Sequence, residues 1–281
     1  MLKKLFKYDF KSVWGLWWIV ALALPGVSIV GASAFRIGMA TVESMPFIGI
    51  ICFFAFGISI IAVLASFVVT MLLVYQRFYK NLYTDEGYLT FTLPVSRRDI
   101  LFSKTLNSMI WQFFHFLLLI GCIFIYLLIA PPTESGILNL APIGEALSFV
   151  GEALGKAGAW LIAYIPLAIL MLLASLFWSV VLIELCITFG SILATKHKIV
   201  MSVLMYYVIS MVISFVGQIL VTALALFFIP GITSYVSGGG ATLGHTVIIL
   251  LALIVIASWT AISLLLYYFM LGRIERNLNL A

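Results

Sequence analysis

Residues 76–104 read QRFYKNLYTDEGYLTFTLPVSRRDILFSK and form a long polar interruption in the first half of an otherwise apolar chain. An apolar run of membrane-spanning length lies on each side of this segment. Its charged residues are five cations and three acids: Arg77, Lys80, Arg97, Arg98, Lys104, Asp85, Glu86 and Asp99. In a membrane protein, a loop this rich in lysine and arginine is expected on the cytoplasmic side.

The composition excludes an ordinary soluble domain. Of the 281 residues, 64% are hydrophobic and 9% are charged, whereas about a quarter of the residues in a soluble domain are charged. A soluble core of this length cannot hide so much apolar surface from water, but a bilayer accommodates it. The sequence therefore predicts an all-α integral membrane protein.

The apolar runs predict six transmembrane helices, because a helical span needs about 20 largely apolar residues. We place them near residues 13–34, 48–75, 105–130, 159–194, 199–229 and 244–271. The fourth and fifth runs are longer than a perpendicular crossing requires. We therefore expect tilt, kinks or extension beyond the bilayer in these two helices.

The distribution of cations predicts the topology. Of the fifteen lysines and arginines, all but Arg36 and Lys156 fall on one side of the predicted six spans. The positive-inside rule assigns that side to the cytoplasm and leaves both termini cytoplasmic. The net charge of +5 is explained by this placement, so we expect no nucleic-acid partner.

Residues 1–14, MLKKLFKYDFKSVW, predict an N-terminal amphipathic interfacial helix. Apolar residues recur at helical spacing on one face, and four lysines gather on the other. Such a helix lies in the membrane interface, with its cations near anionic lipid headgroups. Membrane lipid is thus an expected partner. The lysines are Lys3, Lys4, Lys7 and Lys11.

Two outer connections are predicted. In residues 131–158, two prolines stop the third span and an apolar stripe indicates an outer amphipathic segment, either a structural cap or a substrate gate. The prolines and the stripe are Pro131, Pro132, Ile143, Leu147, Val150 and Leu154. The fifth and sixth spans are joined by residues 230–240, where Pro230 begins a glycine-rich loop. These glycines lack the Gly-Lys-Ser/Thr of a phosphate-binding loop.

The polar segment itself contains the signals of a short helix. Asp85-Glu86-Gly87 supplies a helix start, with acidic side chains near the positive end of the helix dipole. Pro94 then breaks the helix, and Ser96 with Asp99 caps the next one. Several apolar side chains in this segment are unusual for an ordinary solvated loop and are typical of a binding surface. They are Tyr88, Leu89, Phe91, Leu93 and Val95.

This segment resembles the first cytoplasmic loop of type-2 ATP-binding-cassette (ABC) exporter permeases. Asp85-Glu86-Gly87-Tyr88-Leu89 and Leu93-Pro94-Val95-Ser96-Arg97-Arg98 carry the likeness, and the six-span layout agrees with it. In that family a short coupling helix in this loop docks into a separate ATPase subunit. The docking residues implied here are Asp85, Glu86, Gly87, Tyr88, Leu89, Phe91, Leu93, Pro94, Val95, Ser96 and Arg97.

The resemblance further implies a single permease domain over residues 1–281, with residues 76–104 as the coupling loop, in the bacterial cytoplasmic membrane. The partners implied are cytoplasmic ABC ATPase subunits and a second permease, either identical or related. ATP and Mg²⁺ would bind the ATPase, and this chain would bind no cofactor. It lacks a phosphate-loop lysine motif and space for a nucleotide domain, so we expect no enzymatic activity of its own.

Two ionisable residues are predicted deep in the spans. His115 follows Lys104 by eleven residues and Glu184 precedes Lys196 by twelve, which puts them about 16 and 18 Å inward along a helix. They can thus lie at similar depth and form a buried polar cluster with Gln112. Glu184 is then a structural hydrogen-bonded residue, part of a substrate path, or a proton relay with His115.

Two other functions compete with the exporter permease. An autonomous secondary transporter or channel would favour several intramembrane charges or a broken-helix ion site, and only Glu184 and His115 are available. A membrane-embedded assembly or anchoring factor is the third possibility. Isolation with a stoichiometric ATPase separates the first function from both others. The sequence does not assign a cargo.

Overall fold

The computed structural model describes residues 2–92, 94–130, 144–145, 147–149, 151–152, 155, 158–194, 196–236 and 241–277. Its long helices are α1 (Leu2–Thr41), α2 (Pro46–Tyr83), α4 (Arg97–Ile129), α5 (Leu161–Leu193), α6 (Lys198–Val236) and α7 (Ala241–Asn277). A short helix, α3 (Asp85–Thr92), lies between α2 and α4, and a 3₁₀ turn (Gly158–Trp160) precedes α5. The described residues contain no strand, which confirms the all-α prediction.

Within the described residues, six helices are long and apolar enough to span a membrane, which confirms the predicted number. The candidate spans are Lys3–Thr41, Pro46–Tyr83, Arg97–Ile129, Leu161–Leu193, Lys198–Leu220 and His245–Ile274. Large apolar side chains on these helices are exposed: Ile162 by 81%, Met211 by 77% and Phe47 by 75%. Such exposure is expected of side chains that face lipid.

The N-terminal segment is part of α1, which runs without interruption from Leu2 to Thr41. We expected the helix of residues 1–14 to be distinct from the first span, and the described backbone has no break between them. The expected lysine face is exposed from Lys3 to Lys11. Its location in the membrane interface and the cytoplasmic location of both termini stay predictions.

The polar segment is more helical than a simple loop. The α2 helix continues through residue 83 and α4 begins at Arg97, so the predicted third span starts earlier than residue 105. The predicted cap of this helix is confirmed, since the Asp99 N–H donates to Ser96 Oγ at 3.1 Å. The Ile100 N–H donates to the Ser96 carbonyl, also at 3.1 Å. The first of these bonds satisfies one of the free amides of the first turn, and the second is the first hydrogen bond within the helix.

The outer connections differ from expectation where they are described. The prediction that a loop begins at Pro230 was wrong, because α6 continues to Val236. The apolar run extends to Ile229, and a proline within a membrane helix is tolerated when neighbouring groups satisfy the freed carbonyl. Residues 237–240 and most of residues 131–158, including Ile143, Val150 and Leu154, lie outside the described residues.

The chain divides into two compact units. The first comprises Met1–Arg77 and Leu106–Lys156, and the second comprises Phe78–Thr105 and Ala157–Ala281. In the first unit α1 packs against residues of α2 and α4 through an aromatic core that contains Trp17 and Trp111. In the second unit α5 packs against both α6 and α7. The expected single domain over residues 1–281 stays a prediction.

Candidate functional site

The short helix α3 belongs to the second unit and is joined to α2 by a single residue, Thr84. The Gly87 N–H donates to the Thr84 carbonyl at 2.7 Å. A Cβ at position 87 would lie 2.7 Å from the carbonyl oxygen of Leu82, closer than a methyl group can approach. Only glycine therefore allows α3 to turn this tightly against the end of α2.

Glu86 is the residue through which α3 contacts α2. Its Oε1 lies 2.8 Å from the ammonium of Lys80. With the Asn81 amide nitrogen turned toward Glu86, it donates to Oε2 at 3.1 Å, and the amide oxygen accepts from Lys104 Nζ at 3.1 Å. Asn81 thus connects Glu86 on α3 with Lys104 on α4. Charge-assisted contacts of this kind fix the orientation of a short helix.

Phe91 and Arg97 form a second anchor of α3. The Arg97 guanidinium lies 5.7 Å from the centroid of the Phe91 ring, within cation–π range. Its Nη1 donates to the carbonyl of Ile274 on α7 at 3.2 Å. Both residues were predicted to face an ATPase, and the described contacts show that they also connect α3 with α4 and α7 within the second unit.

Among the side chains of α3 that the structure describes, Leu89 is the exposed large apolar one, and 68% of it is accessible. Thr92, Pro94 and Ser96 are also exposed, and Val95 is half-buried. Of the other predicted docking residues, the side chains of Asp85 and Tyr88 and the whole of Leu93 lie outside the described residues. The predicted docking residues therefore have two different roles in the structure. Glu86, Gly87 and Phe91 hold α3 in place, whereas Leu89 is accessible.

Glu184 is fully buried in the second unit. The Thr105 hydroxyl donates to its Oε2 at 2.7 Å. The Thr188 hydroxyl, one turn along α5, donates to the Glu184 backbone carbonyl at 2.8 Å and accepts from the Tyr83 hydroxyl at 2.7 Å. These side chains connect the last residue of α2, the first turns of α4, and α5. We call Tyr83, Thr105, Glu184 and Thr188 the carboxyl set.

His115 is fully buried in the first unit. Its Nδ1 lies 3.0 Å from the Thr70 hydroxyl and its Nε2 lies 3.3 Å from the Ser66 hydroxyl. One turn away, Gln112 Nε2 donates to the Tyr75 hydroxyl at 2.6 Å. We call these five residues the imidazole set. It joins α2 to α4 within the first unit.

The sequence predicted one polar cluster of Glu184, His115 and Gln112. The described contacts of these residues fall into the carboxyl set and the imidazole set. The described partners of His115 and Gln112 are hydroxyls of α2. The described partners of Glu184 are instead threonines of the second unit. A link between Glu184 and His115 stays a prediction.

Comparison with protein-family models, with curated proteins and with solved structures gave no match to this chain. The length and composition of its helices support a multi-pass membrane protein. Within the residues that the structure describes, no group of three His, Cys, Asp or Glu side chains is arranged to hold a metal ion. Any function must therefore be argued from α3 and from the two buried polar sets.

Lys104 is the main residue that sequence reasoning misplaced. It was counted as a cation of the polar loop, yet it lies in α4 and only 5% of it is exposed. Lys104, Ser108, Gln112 and His115 recur at spacings of four, four and three, and all four are buried. This polar stripe along one helix face was the signal that could have predicted a buried lysine.

Proposed function

We propose that this chain is the membrane-spanning permease subunit of an ATP-driven ABC exporter. It would dimerise in the bacterial cytoplasmic membrane and couple to separate cytoplasmic ATPase subunits. The observation that carries the proposal is a short helix, α3, that lies between two candidate spans and exposes Leu89. An accessible leucine on an anchored helix is typical of a surface that docks into a partner's groove.

The anchoring of α3 supports a mechanical role. A coupling element must keep its shape when a partner pushes it. Glu86 contacts α2, Gly87 fits closely against Leu82, and Phe91 lies under Arg97. These contacts hold both ends of a helix of 8 residues, which is too short to be stable by itself.

The carboxyl set offers a route from α3 into the second unit. Tyr83 lies two residues before α3 and donates to Thr188 on α5. We propose that ATP binding to the partner moves α3 and that Tyr83 passes this movement to α5. ATP and Mg²⁺ act only in the partner, and this chain supplies docking and movement. Within this proposal Glu184 is a structural residue, because it is buried and accepts a hydrogen bond from Thr105.

The proposal is tested by co-purification in detergent with an ATPase encoded beside this chain. We expect the wild type to retain the ATPase at a stoichiometric level. Leu89→Asp should release it, because a charge replaces the apolar contact, while Leu89→Met should retain it. Both variants should elute as folded protein, since Leu89 is exposed.

Failure of the wild type to retain any ATPase would remove the main support of the proposal. An autonomous secondary transporter or channel would then be the leading hypothesis for the function. Uptake driven by an ion gradient in liposomes that contain this chain alone would establish that function. If neither result is obtained, a membrane-embedded assembly or anchoring factor remains.

A further inference from the structure

In the last turns of α7, an arginine lies beside a pair of aromatic rings. The rings of Phe189 on α5 and Phe269 on α7 are stacked, with centroids 5.4 Å apart and an interplanar angle of 21°. The guanidinium carbon of Arg273 lies 5.5 Å from the Phe269 centroid and 5.7 Å from the Phe189 centroid. Two cation–π contacts therefore fix this guanidinium at one place on the surface of the second unit.

The fixed guanidinium borders a half-open cavity of about 300 Å³ that is lined by Tyr268, Phe269, Gly272 and Arg273. This volume is at the lower end of the range for small-molecule sites, about 300–1,000 Å³. A Cβ added at Gly272 meets nothing within 4 Å, so the glycine leaves space rather than filling it. The lining combines one cation, one phenol and an apolar ring.

The hydrogen-bonding state of Arg273 differs from that of the other arginines with described contacts. Arg97 donates to the carbonyl of Ile274, and Arg77 donates to the carbonyl of Ser12. Across the described part of the chain, the guanidinium of Arg273 contacts rings and has no hydrogen-bond acceptor. A guanidinium presents a planar set of donors, and a phosphate matches its geometry.

The depth of this site in the membrane indicates whether a free phosphate ion or a lipid phosphate binds. Arg273 is the penultimate residue of the candidate span His245–Ile274, which places it near the headgroup level. About one and two turns inward, Phe269 and Leu265 expose 50% and 70% of their surface on the same face of α7. A free phosphate ion would make no contact with this apolar strip, whereas the acyl chain of a lipid would cover it.

We propose that the Arg273 cavity is a binding site for one anionic phospholipid. The lipid phosphate contacts the guanidinium of Arg273 and the Tyr268 hydroxyl, and an acyl chain lies along Phe269 and Leu265. On the topology that the cations predict, the lipid belongs to the cytoplasmic leaflet. This site is independent of the proposed function and would hold for any multi-pass protein with this geometry.

The test is native mass spectrometry of the full chain in micelles titrated with phosphatidylglycerol or with phosphatidylcholine. We expect one retained phosphatidylglycerol per chain and weaker retention of phosphatidylcholine. Arg273→Gln should weaken phosphatidylglycerol binding roughly tenfold or more, since hydrogen bonds to charged groups are the strong ones. Arg273→Lys should fall between, because it keeps the charge and loses the planar donor set.

Gly272→Leu tests the cavity without changing a charge, and it should weaken phosphatidylglycerol binding as strongly as Arg273→Gln. Lys196→Gln is the matched charge control, since Lys196 is exposed in the connection between α5 and α6, and it should leave binding unchanged. Thermal unfolding of each variant checks that the protein is folded. The substitutions change exposed or open positions, so we expect folded proteins.

Three results would overturn the lipid site. Equal binding of phosphatidylcholine would show that the headgroup charge is not recognised. Unchanged binding in Gly272→Leu, or an equal loss in Lys196→Gln, would show that the cavity does not hold the lipid. Displacement of phosphatidylglycerol by millimolar inorganic phosphate would assign the site to a soluble phosphate instead.

Discussion

In the first unit, His115 lies between the hydroxyls of Thr70 and Ser66, and in the second unit Glu184 accepts from the hydroxyl of Thr105. Both ionisable side chains are fully buried and both have hydroxyl partners. Burial of an ionisable group in a membrane protein is costly unless it is paired. In each unit, hydrogen bonds with threonine or serine hydroxyls on a neighbouring helix offset this cost.

The two sets differ in their distance along the chain from α3. The imidazole set joins the interior turns of α2 and α4 within the first unit. The carboxyl set contains Tyr83, which ends α2 two residues before α3 begins. Similar hydrogen bonds therefore join two spans in the first unit, and in the second unit they join α5 to the end of α2 that precedes α3. Changes in the carboxyl set should affect coupling, and changes in the imidazole set should affect stability alone.

The largest effect is expected for Glu184→Ala. Removing the carboxyl leaves a cavity and deletes the acceptor at 2.7 Å from the Thr105 hydroxyl, which keeps the Leu101 carbonyl as an acceptor at 3.1 Å. The free energy of unfolding should fall by about 3 kcal/mol. Glu184→Gln keeps an acceptor for Thr105 and should cost only about 1 kcal/mol. Denaturant titration in mixed micelles, followed by circular dichroism, measures both changes.

Glu184→Gln also tests the competing roles of Glu184. The ATPase activity of the complex with Glu184→Gln in proteoliposomes should follow the wild-type pH profile. An inactive or altered profile in a folded complex would restore the substrate-path and proton-relay hypotheses.

The next effect is expected for His115→Leu in the imidazole set. The leucine leaves the hydroxyls of Thr70 and Ser66 without their ring partner, and unfolding should become easier by about 2 kcal/mol. The Ser66 hydroxyl also donates to the Val63 carbonyl, which limits the cost. Retention and activity of the ATPase should be unchanged. A folded His115→Leu protein that binds ATPase but has lost coupling would contradict the division between the two sets.

A smaller effect on stability is expected for Tyr83→Phe. It removes one hydrogen bond to Thr188, which contributes about 1 kcal/mol. In the ATPase complex, hydrogen exchange of α5 should respond to ATP in the wild type and not in this variant. Tyr79→Phe is the matched control, because within the described residues the Tyr79 hydroxyl makes no hydrogen bond. An equal response of α5 in the wild type and Tyr83→Phe would refute the proposed route.

The smallest effect is expected for Glu86→Gln. The ion pair with Lys80 is about half exposed on both sides, and exposed pairs contribute at most about 1 kcal/mol. Glutamine keeps an acceptor for the Asn81 amide. We expect ATPase retention to weaken slightly at low salt and to match the wild type at high salt, where the pair is screened. Complete loss of the ATPase would instead indicate that Glu86 itself contacts the partner.

The sequence was sufficient for the helical fold because hydropathy is a local property. Apolar runs predicted six spans, Asp85 predicted the first residue of α3, and Ser96 predicted the cap of α4, and all three are confirmed. Helix ends were less predictable. The apolar run before Pro230 continues the helix to Val236, since a proline in lipid does not end a helix as it does in water.

Tertiary partners could not be predicted, because they depend on which helix faces meet. Glu86 and Arg97 look like free docking charges in the sequence, yet both contact other helices of the second unit. Lys104 looks like a loop cation and is buried. The hydrogen bond from Gln112 to the Tyr75 hydroxyl was not predicted either. Long polar side chains find acceptors that no spacing rule can identify from one sequence.

The central claim, that α3 docks into an ATPase through Leu89, is tested most directly by photo-crosslinking from position 89. A photoreactive residue there, in cells that also express the adjacent ATPase, should form a crosslink to the ATPase on irradiation. The same residue at position 162 is the control, since Ile162 is exposed by 81% at the start of α5 and should form none. An absent crosslink from position 89, with a folded protein and an ATPase present, would contradict the claim.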